Sequence, residues 1–156
     1  MKYIYFIGIM SILLSCMTPT SSNNNRIYVC RFGPDKDLKQ EIMAFAKEHH
    51  IRAGYIVTCV GSLKKLTLRL ANQPGTISID DKFEIVSLVG TFADTSGAHL
   101  HLSVSDSTGK TIGGHLMDGN VIYTTAEMVF GEAMDVQFNR EPDPQTTYKE
   151  LKIEKK

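Results

Sequence analysis

The chain has no excess charge of either sign, because its 17 lysines and arginines are balanced by 17 aspartates and glutamates. Obligate nucleic-acid binders usually carry a basic surface, so this balance argues against that class. The most basic local segment, Leu63–Leu70, is expected to be an edge strand whose outward cations block unwanted pairing. With 156 residues and no internal repeat, the chain is expected to form one domain.

Cysteine is scarce, and the three residues are Cys16, Cys30 and Cys59. Two cysteines within a domain make a poor metal-ligand set. Cys30 and Cys59 each lie in an apolar, strand-like run, where a buried free thiol behaves as a small hydrophobic side chain. An exported domain would also permit them to form a disulfide. The sequence favours free thiols and leaves the disulfide open.

Long hydrophobic runs are absent except at the N-terminus, where residues 3–14 are almost entirely apolar. This run is too short to span a bilayer comfortably but is typical of the apolar region of a signal peptide. It ends in Leu-Leu-Ser-Cys at Cys16, which resembles a bacterial lipobox, in which the cysteine receives lipid. We therefore predict a signal peptide over residues 1–16 and lipidation of Cys16. A cleaved secretory leader and an uncleaved anchor are the alternatives.

The segment after the leader, residues 17–25, is polar and lacks an apolar period. It predicts a flexible tether between a membrane and a folded domain over residues 26–153. All alternatives for the leader place that domain outside the cytosol. We expect a cell-membrane lipoprotein, with a secreted or periplasmic protein as the alternative.

One helix and many short strands are predicted. Apolar residues recur at i, i+4, i+7 and i+8 from Leu38, and Asp35 or Asp37 can cap the helix that they indicate. His49 and His50 close this helix and are given no ligand role. The rest of the domain consists of β-rich runs separated by turn residues. One helix followed by strands at hairpin spacing predicts a single compact α+β domain with a mainly antiparallel sheet.

Three of the five histidines fall within residues 97–119, GAHLHLSVSDSTGKTIGGHLMDG. The residues STG fit a three-residue hairpin loop with Gly109 in the left-handed conformation. In that register His101 lies opposite His115, and His99 lies beside them on the same face. Three converging imidazoles with an open fourth position suit a zinc ion.

A structural role for these histidines is the alternative. In it the imidazoles hydrogen-bond to the backbone, to Asp118 or to Glu127. A one-residue slip would move His115 to the other face, so the spacing alone favours this alternative. Gly113 and Gly114 would give room for a ligand or for another backbone.

The run GAHLHLSVSD…GKTIGGHLMDGNVIYTTAEMVF resembles the signature of the PPC (plants and prokaryotes conserved) domain family. The resemblance covers Arg26 to Leu151, and its ordered motifs are G-x-H-x-H, G-G-H-L and T-x-A-E. It implies a compact α+β fold assembled as a homotrimer, with a metal ion held near a subunit interface in some prokaryotic members. By motif position, His99, His101 and His115 are the residues that carry over.

Three functions compete. The first is an exported or membrane-tethered homotrimeric module that binds zinc or a similar divalent metal and a small ligand or partner protein. The second is a zinc-dependent hydrolase-like enzyme in which Glu127 acts as general acid or base, with Asp118 or Glu127 orienting the histidine ligands. The third, a DNA-associated module like the plant members, is disfavoured because this chain has no AT-hook and carries an export leader.

Overall fold

The computed structural model describes residues 24–156, so the predicted signal peptide, Cys16 and most of the tether lie outside the described residues. One helix and nine strands make up the described part of the chain. In chain order they are β1 (Asn25–Phe32), α1 (Leu38–Glu48), β2 (Gly54–Arg69), β3 (Ile77–Ile79), β4 (Phe83–Ala93), β5 (Gly97–Ser105), β6 (Thr111–Leu116), β7 (Val121–Ala133), β8 (Val136–Pro142) and β9 (Lys149–Lys155).

Seven strands form one antiparallel sheet in the order β1-β7-β2-β4-β5-β6, and β3 pairs with the end of β2. The sheet closes on itself because the last residues of β2 also pair with β6, where Arg69 lies opposite His115. Strands β8 and β9 form a separate hairpin. This arrangement confirms the predicted α+β fold with a mainly antiparallel sheet and one helix.

Helix α1 begins after Asp37, whose carboxylate accepts hydrogen bonds from the backbone N–H groups of Gln40 (3.0 Å) and Gly119. Asp37 rather than Asp35 is therefore the cap, which typically stabilises a helix by about 1 kcal/mol. No helix within residues 24–156 is long and apolar enough to cross a membrane. The face of α1 that packs on the sheet is fully buried and consists of Leu38, Ile42 and Ala46.

The hydrophobic core lies between α1 and the inner face of the sheet. The ring of Phe130 contacts both Phe45 of α1 and Phe92 of β4, with ring centroids 5.4 and 5.3 Å apart. The buried side chain of Asn120 accepts a hydrogen bond from the Thr67 N–H (2.9 Å) and donates one to the Thr67 carbonyl oxygen (2.7 Å). These bonds fix the connection between β6 and β7 against β2.

The basic segment Leu63–Leu70 is not at an edge, so the prediction of an edge strand is wrong. It forms the end of β2, which pairs with β3, β4, β6 and β7. Its alternate residues Leu66 and Leu68 are fully buried in the core. Lys64, at an irregularity in the pairing of β2 with β7, is exposed and forms an ion pair with Asp35.

Cys30 and Cys59 are free thiols on either side of β7. Both lie opposite Met128, so the width of two strand spacings, about 10 Å, separates their backbones. A disulfide requires Cα atoms within roughly 7 Å of each other. Burial raises the pKa of Cys30 to about 11 and that of Cys59 to about 12, which makes both thiols unreactive at neutral pH.

Candidate metal centre

The β5–β6 hairpin has the predicted loop. Gly109 adopts a positive φ of 81°, and the Asp106 N–H donates to the Lys110 carbonyl oxygen at 3.0 Å. The Asp106 carboxylate accepts hydrogen bonds from the backbone N–H groups of Thr108 (2.8 Å) and Lys110 (3.1 Å). These bonds define the loop locally and thereby set the register of both strands.

This register brings His99, His101 and His115 together on the outward face of the sheet. His101 lies directly opposite His115, as predicted. The ring centroids of His101 and His115 are 4.5 Å apart, and the ring of His99 lies 5.1 Å from His101 and 5.2 Å from His115. Each residue offers one ring nitrogen such that the three nitrogens lie within 4.8 Å of one another.

This donor set fits a zinc-like ion after small side-chain movements. Two nitrogens bound to one tetrahedral zinc lie about 3.4 Å apart, because each zinc–nitrogen bond is about 2.1 Å long. The side chains of His99 and His101 are exposed and those of all three face the same space, so modest rotations close the remaining distance. Three imidazoles are also a common ligand set for zinc that keeps a fourth position open.

Two glycines allow the backbones around the histidines to approach closely. Gly90 on β4 has a positive φ of 132°, and a Cβ added there would collide with the His99 carbonyl oxygen. A Cβ added at Gly114 would lie 2.7 Å from the carbonyl oxygen of Arg69. We expected Gly114 to make space either for a ligand or for another backbone. In the structure the backbone of β2 occupies this space.

The family model of the Plants and Prokaryotes Conserved (PCC) domain matches residues 19–134, most of the chain. The chain belongs to this family. The match confirms the resemblance to the PPC family, which is the same plant- and prokaryote-conserved domain. The histidine hairpin and the helix of this PCC domain both fall within the matched residues.

Three of the proteins similar to this chain are informative. Bifunctional protein GlmU of Synechococcus sp. (strain JA-3-3Ab) is 44% identical over 137 residues, which cover 88% of this chain and 22% of that protein. This PCC domain thus spans about a fifth of the length of the curated relatives it matches. A hypothetical protein from Salmonella cholerae-suis has a solved structure that is 40% identical, with a TM-score of 0.83, over 85% of this chain and 95% of its own.

The third is the metal-containing protein from Archaeoglobus fulgidus. Its structure is 22% identical, with a TM-score of 0.71, over 87% of this chain and 99% of its own. At that identity the likeness concerns the fold of the PCC domain.

Burial and nearby cations keep two of the histidines neutral. Burial lowers the pKa of His99, and the guanidinium of Arg140 lowers it further. Burial likewise lowers the pKa of His115, and Arg69 adds to this effect. Because only a neutral imidazole can bind a metal, the lowered pKa values leave both side chains ready to ligate at neutral pH.

The two acidic residues singled out in the sequence lie away from the imidazoles. Glu127 is on β7, opposite Arg31 and Val60, and two strands, β2 and β4, separate β7 from β5. Asp118 lies in the connection after β6, where its carboxylate is 3.5 Å from the Lys39 ammonium. Within residues 24–156, no hydrogen bond joins either carboxylate to the three histidines.

Sequence reasoning missed Arg69 and Arg140, the two arginines whose positive charge lowers the pKa of the nearby histidines. Arg69 reaches the site through the pairing of β2 with β6, and Arg140 through the packing of the β8–β9 hairpin. Both are contacts between distant parts of the chain. No local spacing could have indicated them.

Proposed function

We propose that this PCC domain is a binding module that holds zinc or a similar divalent ion through His99, His101 and His115. The observation that carries the proposal is the convergence of three ring nitrogens within 4.8 Å on one face of a rigid hairpin. An ion held this way supplies one open coordination position to an incoming ligand.

The surroundings of the histidines support metal binding over a structural role. A structural role requires hydrogen bonds from the imidazoles to the backbone, Asp118 or Glu127. Within the described part of the chain the three imidazoles contact one another and form no hydrogen bond of that kind. The fold is also similar to that of the Archaeoglobus fulgidus protein described as metal-containing.

A binding module is favoured over a hydrolase because the candidate acid or base is in the wrong place. A general base must lie within hydrogen-bond reach of the water it activates, either directly or through one further water. Glu127 is separated from the strand that carries His99 and His101 by two strands, and it pairs with Val60 of β2, whereas β2 reaches His115 only at its other end, at Arg69. A DNA-binding role has no support from the balanced charge of the chain.

Elemental analysis tests this proposal. The purified protein, loaded with zinc and then dialysed, is expected to retain about one zinc ion per chain. It is expected to show no turnover in a panel of ester, amide and phosphoester substrates. A metal-free protein after incubation with zinc would refute the metal site, whereas zinc-dependent turnover would favour the hydrolase.

We further propose that the module is a homotrimer. Its sheet presents exposed large apolar side chains on strands β1, β2, β4 and β7, and contiguous exposed apolar patches often mark protein–protein interfaces. The row continues to the metal site, since Val89 lies opposite His101. We call this surface the outer apolar face, and its residues are Ile27, Val29, Val57, Val60, Val86, Val89 and Tyr123.

Membrane tethering through Cys16 completes the proposal, and its basis is the lipobox-like sequence. In a bacterium that processes lipoproteins, the full chain is expected in the membrane fraction without residues 1–15. Replacing Cys16 with alanine is expected to abolish the incorporation of radiolabelled fatty acid, because the acceptor thiol is lost. Cys30→Ala is the matched control and should remain labelled. Unchanged labelling of Cys16→Ala would contradict the lipobox.

A further inference from the structure

Two of the three histidines, His99 and His115, line one wall of a cleft of about 1130 Å³, which a metal ion would fill only in small part. Its volume is slightly above the range of roughly 300–1,000 Å³ that is typical of small-molecule sites. The rest of the lining is rich in positive charge, although the chain as a whole has none in excess. The charged residues that line it are Lys39, Arg69, Arg140 and Lys149, with Glu150 as the one acidic residue among them.

Arg69 lies beside the histidines because of the sheet register. It is the last residue of β2 and lies directly opposite His115 of β6, and directly opposed residues project to the same face. Its guanidinium is close enough to lower the pKa of both His115 and His99. Within residues 24–156 it forms no ion pair, so its charge is available to a ligand.

Arg140 flanks the histidines from the other side. Its Nη2 donates a hydrogen bond to Thr91 Oγ1 at 3.1 Å, and Thr91 lies directly opposite His99. The β8–β9 hairpin that carries it is anchored by the Phe138 N–H, which donates to the Arg52 carbonyl oxygen at 2.8 Å. Arg140 is half-buried and likewise has no ion pair with any carboxylate of the described residues. It also lies beyond residue 134, where the family match ends.

We propose that this cleft binds the oxyanion group of a small molecule, a phosphate or a carboxylate, between Arg69, Arg140 and the open coordination position of the metal. The metal part of this inference rests on the proposed function. A planar guanidinium offers two parallel N–H donors to an oxyanion, and such charge-assisted bonds are strong where water is partly excluded. Two half-buried guanidinium groups, neither in an ion pair within the described residues, lie beside the three imidazoles and offer positive charge to a negative ligand.

Isothermal titration with inorganic phosphate and, in a second arm, with malonate tests the inference. Both are run on zinc-loaded and on metal-free protein. Zinc-loaded wild type is expected to bind at least one of the two anions. Arg69→Gln and Arg140→Gln are each expected to weaken that binding by about tenfold or more, the usual scale for losing a charge-assisted bond, with unchanged zinc content. Arg26→Gln, at the exposed start of β1, is the matched control and should bind like wild type.

The outcomes separate this inference from the metal site. If zinc is retained but neither anion binds, or both arginine variants bind as wild type does, the anion site is refuted and the metal site stands. If zinc does not load, anion binding to the metal-free wild type that is weaker in both arginine variants still supports the anion site. The absence of anion binding to the metal-free protein would then refute the anion site. Arg69→Lys and Arg140→Lys keep the charge but lose the paired donors. These conservative variants control for misfolding of the glutamine variants. Intermediate anion affinity in them supports the site, and wild-type anion affinity argues against direct guanidinium contacts.

Discussion

Replacement of His101 by alanine is expected to strip the protein of its metal while leaving the fold intact. His101 lies opposite His115 and next to His99, so its removal leaves two ligands and opens the site to water. Because loss of a supporting residue alone often costs 10–100-fold in affinity, loss of a ligand should cost at least about 100-fold. His115→Ala is expected to match it. Competition with a zinc-chelating dye would measure both affinities.

The control for these variants is a histidine outside the cluster. His50 is exposed at the end of α1 with a φ of 52°, a conformation that asparagine also tolerates. His50→Asn should therefore bind zinc as the wild type does. Metal retained after simultaneous loss of His101 and His115 would place the ion elsewhere in the protein.

The same site predicts the direction of a pH effect. Protons compete with the metal for the imidazoles, so zinc should be released as the pH falls. Burial and the neighbouring arginines lower the pKa of His99 and His115 below the usual value of 6.5. These two residues bind a proton only at lower pH, so zinc should stay bound at about pH 7 and leave below about pH 6.5. Zinc content after dialysis across this range checks the prediction.

The register of the histidine hairpin could be predicted because everything that sets it is local. Asp106, Gly109 and Lys110 lie within five residues, and their turn chemistry alone fixes which residues face each other. Side-chain alternation then places His99 on the same face as His101. The three-histidine cluster thus needed no information about distant strands.

The rest of the site depends on contacts between distant strands. The sequence indicates only short β-rich runs, whereas the structure has one long β2 with irregular pairing at Ile56/Thr58, Gly61/Leu63 and Leu63/Lys65. A continuous β2 reaches β6, and this brings Arg69 to His115. Nothing near either residue indicates that pairing.

The place of Glu127 illustrates the same limit. Alternation in β7 leaves open which face it occupies. In the structure it is on the outward face, as are the histidines, because it pairs with the exposed Val60. What removes it from the site is its position along β2: Glu127 pairs with Val60, whereas β2 meets β6 only at Leu68 and Arg69, where Arg69 lies opposite His115. Such pairing between distant strands is a property of the whole chain and of no single motif.

Introducing charge on the outer apolar face is expected to convert the proposed trimer into monomers. Val29 and Val60 are 78% and 54% exposed on neighbouring parts of this face. Burying a glutamate without a partner in an interface costs several kcal/mol per charge, and symmetry repeats each substitution in every subunit. The double variant Val29→Glu/Val60→Glu should therefore be monomeric at micromolar concentration by multi-angle light scattering, whereas the wild type should have the mass of three chains.

A matched control is available on the C-terminal hairpin, which carries none of the residues of the outer apolar face. Ile153 of β9 is also half exposed, so Ile153→Glu introduces the same charge and should remain trimeric. A trimeric double variant would move the interface to another surface, and a monomeric wild type would overturn the trimer itself.

Zinc content of the monomeric variant adds a second result. Because all three histidines come from one chain, the monomer should still bind zinc, and its loss would mean that the interface, near Val89 and His101, holds the ligands in place.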